Sequence, residues 1–187
     1  MNDVLDHFRE AGALLDGHFI LSSGLHSPQY LQCALALKDP EDAARFGQAI
    51  AERFHGQAID TVASPAIGGI IIGFAVAQAL NVPFIWTERE NGVMTLRRGF
   101  SVEQGEKVLV VEDVITTGGS TRECMKALED RGAKVVSAAS IIDRSDGKAD
   151  VGVPRVSLVT LAVPTYPADQ CPLCARGITI TKPGSRL

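Results

Sequence analysis

The chain of 187 residues has no uninterrupted run of about eighteen apolar residues, so no membrane-spanning helix is expected. It has no surplus of positive charge. Eighteen Lys and Arg face 22 Asp and Glu, for a net charge of −4. No broad positive field exists to hold nucleic acid, so an anionic ligand must be held by local arginines and helix ends. The start, Met1-Asn2-Asp3-Val4, lacks the charged-then-apolar layout of a secretion signal, and cytoplasmic location is the default expectation. No internal repeat, low-complexity tract or linker divides the sequence, so one domain over 1–187 is expected. Cysteine is scarce: Cys33, Cys124, Cys171 and Cys174. The first two read as small core residues. Cys171-Pro-Leu-Cys174 has the spacing of half a zinc knuckle. With no second pair and no histidine near it in the tail, it reads as two reduced cysteines without a metal. His7, His18, His26 and His55 are scattered, and none forms a pattern for nucleophilic catalysis. His26 reads as a solvated turn residue.

What remains is ordinary for a globular protein: 45% hydrophobic and 21% charged residues, in a chain long enough to bury a core unaided. Asp3 to Ala11 reads as a short amphipathic helix capped by Asn2 or Asp3. Phe19–Leu21 and Tyr30–Leu37 read as strands around a polar turn, Ser22–Ser27. Asp39-Pro40 caps a helix running to about Phe54, with core positions at Phe46, Ile50 and Phe54. Strands are expected at Asp60–Ala63, Pro83–Thr87, Val108–Val111, Ala133–Ile142 and Val156–Val163. Helices are expected at Gly68–Leu80 and Ser120–Arg131, and an irregular tail after Pro164. The alternation predicts an α/β fold with a central parallel sheet flanked by helices. A small N-terminal cap, mainly 1–37, would sit beside it. Ser145–Pro154 reads as a plain loop.

The most specific stretch is Val108-Leu-Val-Val-Glu-Asp-Val-Ile-Thr-Thr-Gly-Gly-Ser-Thr121. A buried strand runs into the adjacent acids Glu112 and Asp113, then through Val114 and Ile115 to a turn of Thr116, Thr117, Gly118 and Gly119, and a helix from Ser120. The turn's amides and the positive helix end suit a phosphate. The glycines keep side chains out of its way. The hydroxyls of Thr116, Thr117, Ser120 and Thr121 add donors. The acids, at the carboxyl end of a strand, suit ribose hydroxyls and help to place Mg2+. No Lys follows the glycines, which excludes a Walker A loop, and the acids precede the glycines, which excludes a dinucleotide fingerprint.

Three further segments are candidates. Ser64-Pro-Ala-Ile-Gly-Gly69 follows a strand and opens an apolar helix, so it is either a second anion loop or a glycine-lined helix–sheet contact. Thr87–Gly105 holds Glu88, Arg89, Glu90, Arg97 and Arg98. It is either a lid that closes with Arg89 over an anion or a solvated charged loop, with a hairpin within it. Asp143-Arg144 ends an apolar strand. Arg144 offers a fork of donors for a planar carboxylate, or else pairs at the surface with Asp143 or Asp146.

Residues 108–121 resemble the phosphoribosyl pyrophosphate (PRPP) signature of the type I phosphoribosyltransferases. The segments Gly17–Pro28, Ser64–Gly69 and Ile141–Arg144 most resemble the orotate phosphoribosyltransferases among them. The resemblance implies a type I phosphoribosyltransferase-like fold with a hood over the base. It implies transfer of the phosphoribosyl group of PRPP to orotate with Mg2+, held through PRPP and waters and not by a protein cage. PRPP would be met by Glu112, Asp113, Val114, Ile115, Thr116, Thr117, Gly118, Gly119, Ser120 and Arg89, and orotate by Thr116 and Arg144. Tyr30, Ser23 and Ser27 would line the base from the hood. A homodimer is implied, with no nucleic-acid partner. A purine-base transferase and a non-catalytic PRPP sensor are the alternatives. The chain departs from the family in three places. Ser22 and Ile67-Gly68 stand where many members have lysine, and no Lys or His lies between Thr87 and Gly105. Other residues must then stabilise the leaving group.

Overall fold

The computed structural model describes residues 2–21 and 23–183, without the side chains of Asn2 and Asp3. The capping of the first helix and the position of Ser22 therefore lie outside the described residues. The chain forms two compact units, 1–36 with 162–187, and 37–161.

The first unit begins with α1 (Asn2–Glu10), whose Phe8 is fully buried. It continues into an antiparallel hairpin, β1 (Leu14–Ile20) and β2 (His26–Leu31). Both strands begin earlier than the apolar runs suggest, and Cys33–Ala36 forms a short helix, α2, where strand was expected. The pairing shifts between Asp16 and Phe19, across Gly17 and His18. Such a bulge hides strand periodicity. The C-terminal segment belongs to this unit too.

The second unit opens with α3 (Pro40–Ala51). The Asp39 carboxylate accepts from the Glu41 amide at 2.9 Å, and Pro40 takes the first turn, where its missing N–H costs nothing. A 3-10 turn extends the helix to Phe54. Phe46, Ile50 and Phe54 are buried, as their spacing predicts. Next come β3 (Thr61–Pro65), α4 (Gly69–Leu80), β4 (Phe84–Glu90), β5 (Val93–Leu96), β6 (Lys107–Ile115), α5 (Gly119–Glu129), β7 (Lys134–Asp143) and β8 (Arg155–Thr160). The sheet order is β5-β4-β3-β6-β7-β8, parallel except for the β4–β5 hairpin at one edge.

Val108, Leu109, Val110 and Val111 in central β6 are all fully buried, as befits a strand covered on both faces. Val108 and Val110 pack with Cys124, Met125 and Leu128 of α5. Alternation turns Leu109 and Val111 to the other face, that of α3 and α4. The two helices on that face cross closely: a Cβ at Gly47 would lie 2.6 Å from the carbonyl carbon of Ala75.

Thr87–Gly105 is folded. Asn91-Gly92 turns β4 into β5, and the return carries Phe100 and Val102 onto the core. The Phe100 ring meets Trp86 edge-on, with centroids 4.6 Å apart.

The tail folds back within the first unit. A short 3-10 turn (168–170) and α6 (Pro172–Ala175) are flanked by bridges from Tyr166 to His26 and from Thr181 to Phe19. The expectation of an irregular tail is corrected here, because its partners are strands far away in sequence.

Candidate active site

β6 runs two turns of pleat further than its apolar core, to Ile115. Glu112 therefore pairs with Ser140 and Ile115 with Asp143 inside the sheet. Successive residues of a strand face opposite sides, which separates the two acids. Glu112 turns to α5, where the Thr121 hydroxyl donates to its Oε2 at 2.6 Å. Asp113 turns to the start of α4. There a Cβ at Gly68 would stand 2.9 Å from both carboxylate oxygens. Asp113 also accepts from the Val114 amide at 2.8 Å.

Burial shapes both acids. It pushes Glu112 up to about 7, against the Thr121 hydrogen bond and with help from the Asp113 charge. It raises Asp113 as well, against the Val114 amide. Among the described residues neither has a cationic partner to hold it ionised, so the pair suits a ligand that brings hydroxyl donors or a cation. The hydroxyl of buried Thr121, read from the sequence as a phosphate donor, is here engaged by Glu112.

The turn after β6 exposes Thr116 and Thr117. Gly118 caps α5 at φ 73°, a left-handed conformation that L side chains resist. A Cβ there would also strike Val151 at 2.7 Å. The N-cap residues of α5 and α4 are Gly118 and Gly68, which bring no side chain of their own, and at α5 the Thr117 hydroxyl accepts from the Gly119 amide at 3.4 Å. α3, with its Asp39 cap, is a helix end closed by its own chain. The starts of α4 and α5 leave first-turn amides for a ligand.

The Ser64–Gly69 segment shows the glycine-lined packing that was one of its two readings. Gly69 and Gly73 pack tightly, since a Cβ at Gly73 would lie 2.0 Å from the Ser64 hydroxyl. Ile67 and Gly68 nevertheless stay exposed, joined to the strand by a cis Ala66–Ile67 peptide.

Two features escaped the sequence reading. The Arg122 guanidinium donates to the carbonyls of Thr117 at 2.9 Å and Asp150 at 2.6 Å. Ser145–Pro154 is thus more than a loop: Asp150 and Val151 brace the Thr116–Gly119 turn. Only the proximity of Arg122 to the turn hinted at this, because its second partner is 28 residues away.

Arg144 stands at the carboxyl edge of the sheet, half-buried, its amide bound to the Ile115 carbonyl at 2.8 Å. Asp143 does not serve it. That buried carboxylate accepts from Arg155 at 2.7 Å, from the Ser145 amide and hydroxyl at 2.7 and 2.6 Å, and from the Gly147 amide at 3.1 Å. Asp146 pairs with Lys148. Arg89 lies on β4 and binds Glu123 of α5 and the Gly92 carbonyl. Arg97 pairs with Glu90, and Arg98 with Glu88. In the first unit, buried Ser27 is engaged with Gln29 of its own strand, Ser23 is exposed, and the Tyr30 ring lies against Phe19 at 5.8 Å.

The acid pair thus lies between two helix starts whose N-cap residues are glycines. Residues 36–162 match the model of the phosphoribosyl transferase domain. The chain belongs to the phosphoribosyltransferase family. Its full-length relatives are orotate phosphoribosyltransferases. That of Caulobacter vibrioides is 54% identical, over 99% of this chain and 96% of its own. That of Thermotoga maritima is 52% identical, over 98% of each. The crystal structure of orotate phosphoribosyltransferase from Aeropyrum pernix superposes with a TM-score of 0.70 at 27% identity, covering 84% of this chain and 93% of that one. An adenine phosphoribosyltransferase from Thermoanaerobacter pseudethanolicus shares the fold at a TM-score of 0.61 and 20% identity. This phosphoribosyltransferase thus has the α/β architecture expected from its sequence. Among the described residues no helix is long and apolar enough to cross a membrane.

Proposed function

We propose that the chain, acting over 1–187 as one catalytic domain, transfers the 5-phosphoribosyl group of PRPP to orotate. The products are orotidine 5′-monophosphate and pyrophosphate, a step of pyrimidine nucleotide synthesis. Near-full-length orotate-transferase relatives support the base. The observation that carries the site is the position of Asp113 against Gly68, which brings the acid pair of one loop to the start of the other.

In this reading the amides from Thr116 to Ser120 hold the 5-phosphate, with Val114 and Ile115 forming the strand end beneath it. The Ser64–Gly69 loop receives the pyrophosphate. Glu112 and Asp113, ionised, accept from the ribose hydroxyls. Arg144 and Thr116 take the orotate carboxylate and ring. As the bond from C1 to pyrophosphate breaks, the base nitrogen bonds to C1, its proton passes to solvent or to the departing pyrophosphate, and negative charge grows on the leaving oxygen. Fixed amide dipoles already aimed there stabilise it without reorganising. Arg89 adds a cation by exchanging Glu123 for a phosphate oxygen. Such an exposed pair is worth only about 0–1 kcal/mol, so the exchange costs little.

The half-buried oxygen donors of Glu112 and Asp113 fit a hard cation that keeps its waters. Mg2+ bound with PRPP would neutralise leaving charge. The exposed apolar stripe of Ile67, Ile71 and Phe74 supports a homodimer. Cytoplasmic residence suits substrates whose charges keep them from crossing membranes.

The test is loss of orotate absorbance with PRPP and Mg2+, against adenine and hypoxanthine under the same conditions. Turnover of orotate alone is expected. Turnover of a purine in its place overturns the base assignment.

A further inference from the structure

The first unit gathers four metal-binding side chains that its sequence scatters over 156 positions. His18 comes from the bulge of β1 and His26 from the start of β2. Cys171 and Cys174 flank the first turn of α6 in the tail. One ligand atom from each lies within 4.8 Å of all the others. His18 Nε2 is 3.0 Å from His26 Nδ1, 3.5 Å from Cys171 Sγ and 3.7 Å from Cys174 Sγ. Cys174 Sγ is 3.3 Å from His26 Nδ1. Both histidines and Cys171 are buried, which corrects the solvated turn expected for His26.

These four lengths come within about 0.3 Å of the edges of a zinc tetrahedron. Bonds of about 2.3 Å to sulfur and about 2.05 Å to nitrogen, at tetrahedral angles, separate two nitrogens by about 3.3 Å and a nitrogen from a sulfur by about 3.6 Å. The outer atoms agree. His18 Nδ1 lies 2.8 Å from the Ile178 carbonyl, so it carries the proton and leaves Nε2 as a lone pair facing the cluster. The tail is also held by its main chain on either side. Tyr166 and His26 exchange amide–carbonyl bonds of 2.8 and 2.9 Å, and the Thr181 amide donates to the His18 carbonyl at 2.8 Å. Two thiolates, two neutral imidazoles and a divalent ion sum to zero charge, which a buried corner tolerates. Soft thiolates with imidazoles select zinc, not the hard Mg2+ suited to the acid pair.

We propose that His18, His26, Cys171 and Cys174 form a structural zinc site that pins the C-terminal segment to the N-terminal hairpin. Binding releases two thiol protons and involves no redox step. The clamp joins chain ends that are otherwise far apart, so the unfolded chain loses much entropy when it closes.

The experiment uses the full chain, purified under reducing conditions from zinc-supplemented cells, with metal measured by mass spectrometry. About one zinc per chain is expected for a closed four-ligand site. Cys33→Ala should keep it, and the pair Cys171→Ser with Cys174→Ser should lose it. Cobalt exchanged into the wild type should show a thiolate charge-transfer band and the visible bands of a tetrahedral ion. If the serine variant fails to fold, the wild type decides. Stripping zinc with a chelator should speed tryptic cleavage after exposed Arg176, and adding zinc should restore protection. A reduced wild-type chain that neither holds nor takes up zinc, zinc retained by the double serine variant, or cleavage indifferent to chelation would each overturn the site. None of these readouts depends on turnover of orotate.

Discussion

Gly68 stands against Asp113 so closely that a single added carbon would sit 2.9 Å from both oxygens of the carboxylate. The start of α4 and the end of β6 are thereby held against each other beside the 64–69 and 116–119 loops. A side chain at 68 must push the acid away or displace the loop.

Gly68→Ala should therefore damage the site more than the fold. Overpacking of this kind costs about 1–3 kcal/mol if it cannot relax, but residue 68 is exposed and can give. We expect the melting temperature to change little while kcat/KM for PRPP falls about tenfold to a hundredfold through misplacement. Equal kinetics with native stability would show that the contact is incidental.

Glu112 gives the protein a pH signature. Burial lifts its carboxyl from 4.5 to about 7, so the folded state holds a proton that the unfolded state has released. Its contribution to stability is full below pH 4.5 and is lost as pH rises to about 7, by an amount on the order of 3 kcal/mol. PRPP needs the ionised form, so its affinity should rise with pH up to about 7 and then level off. Calorimetry in buffers of different protonation enthalpy should detect proton release on binding below that point. Glu112→Gln should flatten both profiles.

Asp143 slopes the other way. Burial pushes its carboxyl up, but the Ser145 hydrogen bonds and the Arg155 charge outweigh it and hold the group below its usual 3.8. The stability it supplies is present above pH 3.8 and is lost as pH falls through its lowered value. Asp143→Ala strands a mostly buried guanidinium and should cost about 3–5 kcal/mol in urea unfolding at neutral pH. The deficit should shrink in acid.

Arg144→Ala should weaken orotate far more than PRPP. A charge-assisted bond is worth about 1.5–3 kcal/mol, so orotate affinity should fall roughly tenfold to a hundredfold. Equal losses for the two ligands would remove the carboxylate assignment.

Phe74 is 59% exposed, in line with Ile71 and with Ile67 at 85%. If the stripe is buried between two copies, Phe74→Glu should turn a dimer into a monomer in light scattering after gel filtration. A wild type that is already monomeric at the concentrations used for kinetics would exclude the dimer.

The acid pair, the glycine turn and the Val-rich strand are contiguous, so 108–121 could be read directly, and with it the parallel sheet and the start of α5. Local signals also fixed α3, through Asp39 and Pro40, and the face of Phe46, Ile50 and Phe54. β1 was harder, because its bulge at Gly17 and His18 breaks the alternation that marks a strand. The lid reading of Thr87–Gly105 failed to see Phe100 against Trp86, a contact between residues with no common periodicity.

What the sequence determined alone is therefore what a few adjacent residues supply: a glycine turn before a helix, two acids after a strand, and the α/β order around them. Only the tertiary structure decided that Glu112 faces Thr121 while Asp113 faces Gly68, that Asp143 belongs to Arg155, and that two distant histidines meet the tail cysteines. Backbone propensity and turn geometry act over a few residues. Which carboxylate meets which donor depends on strand register and helix packing, where partners are brought together by burial and not by nearness along the chain.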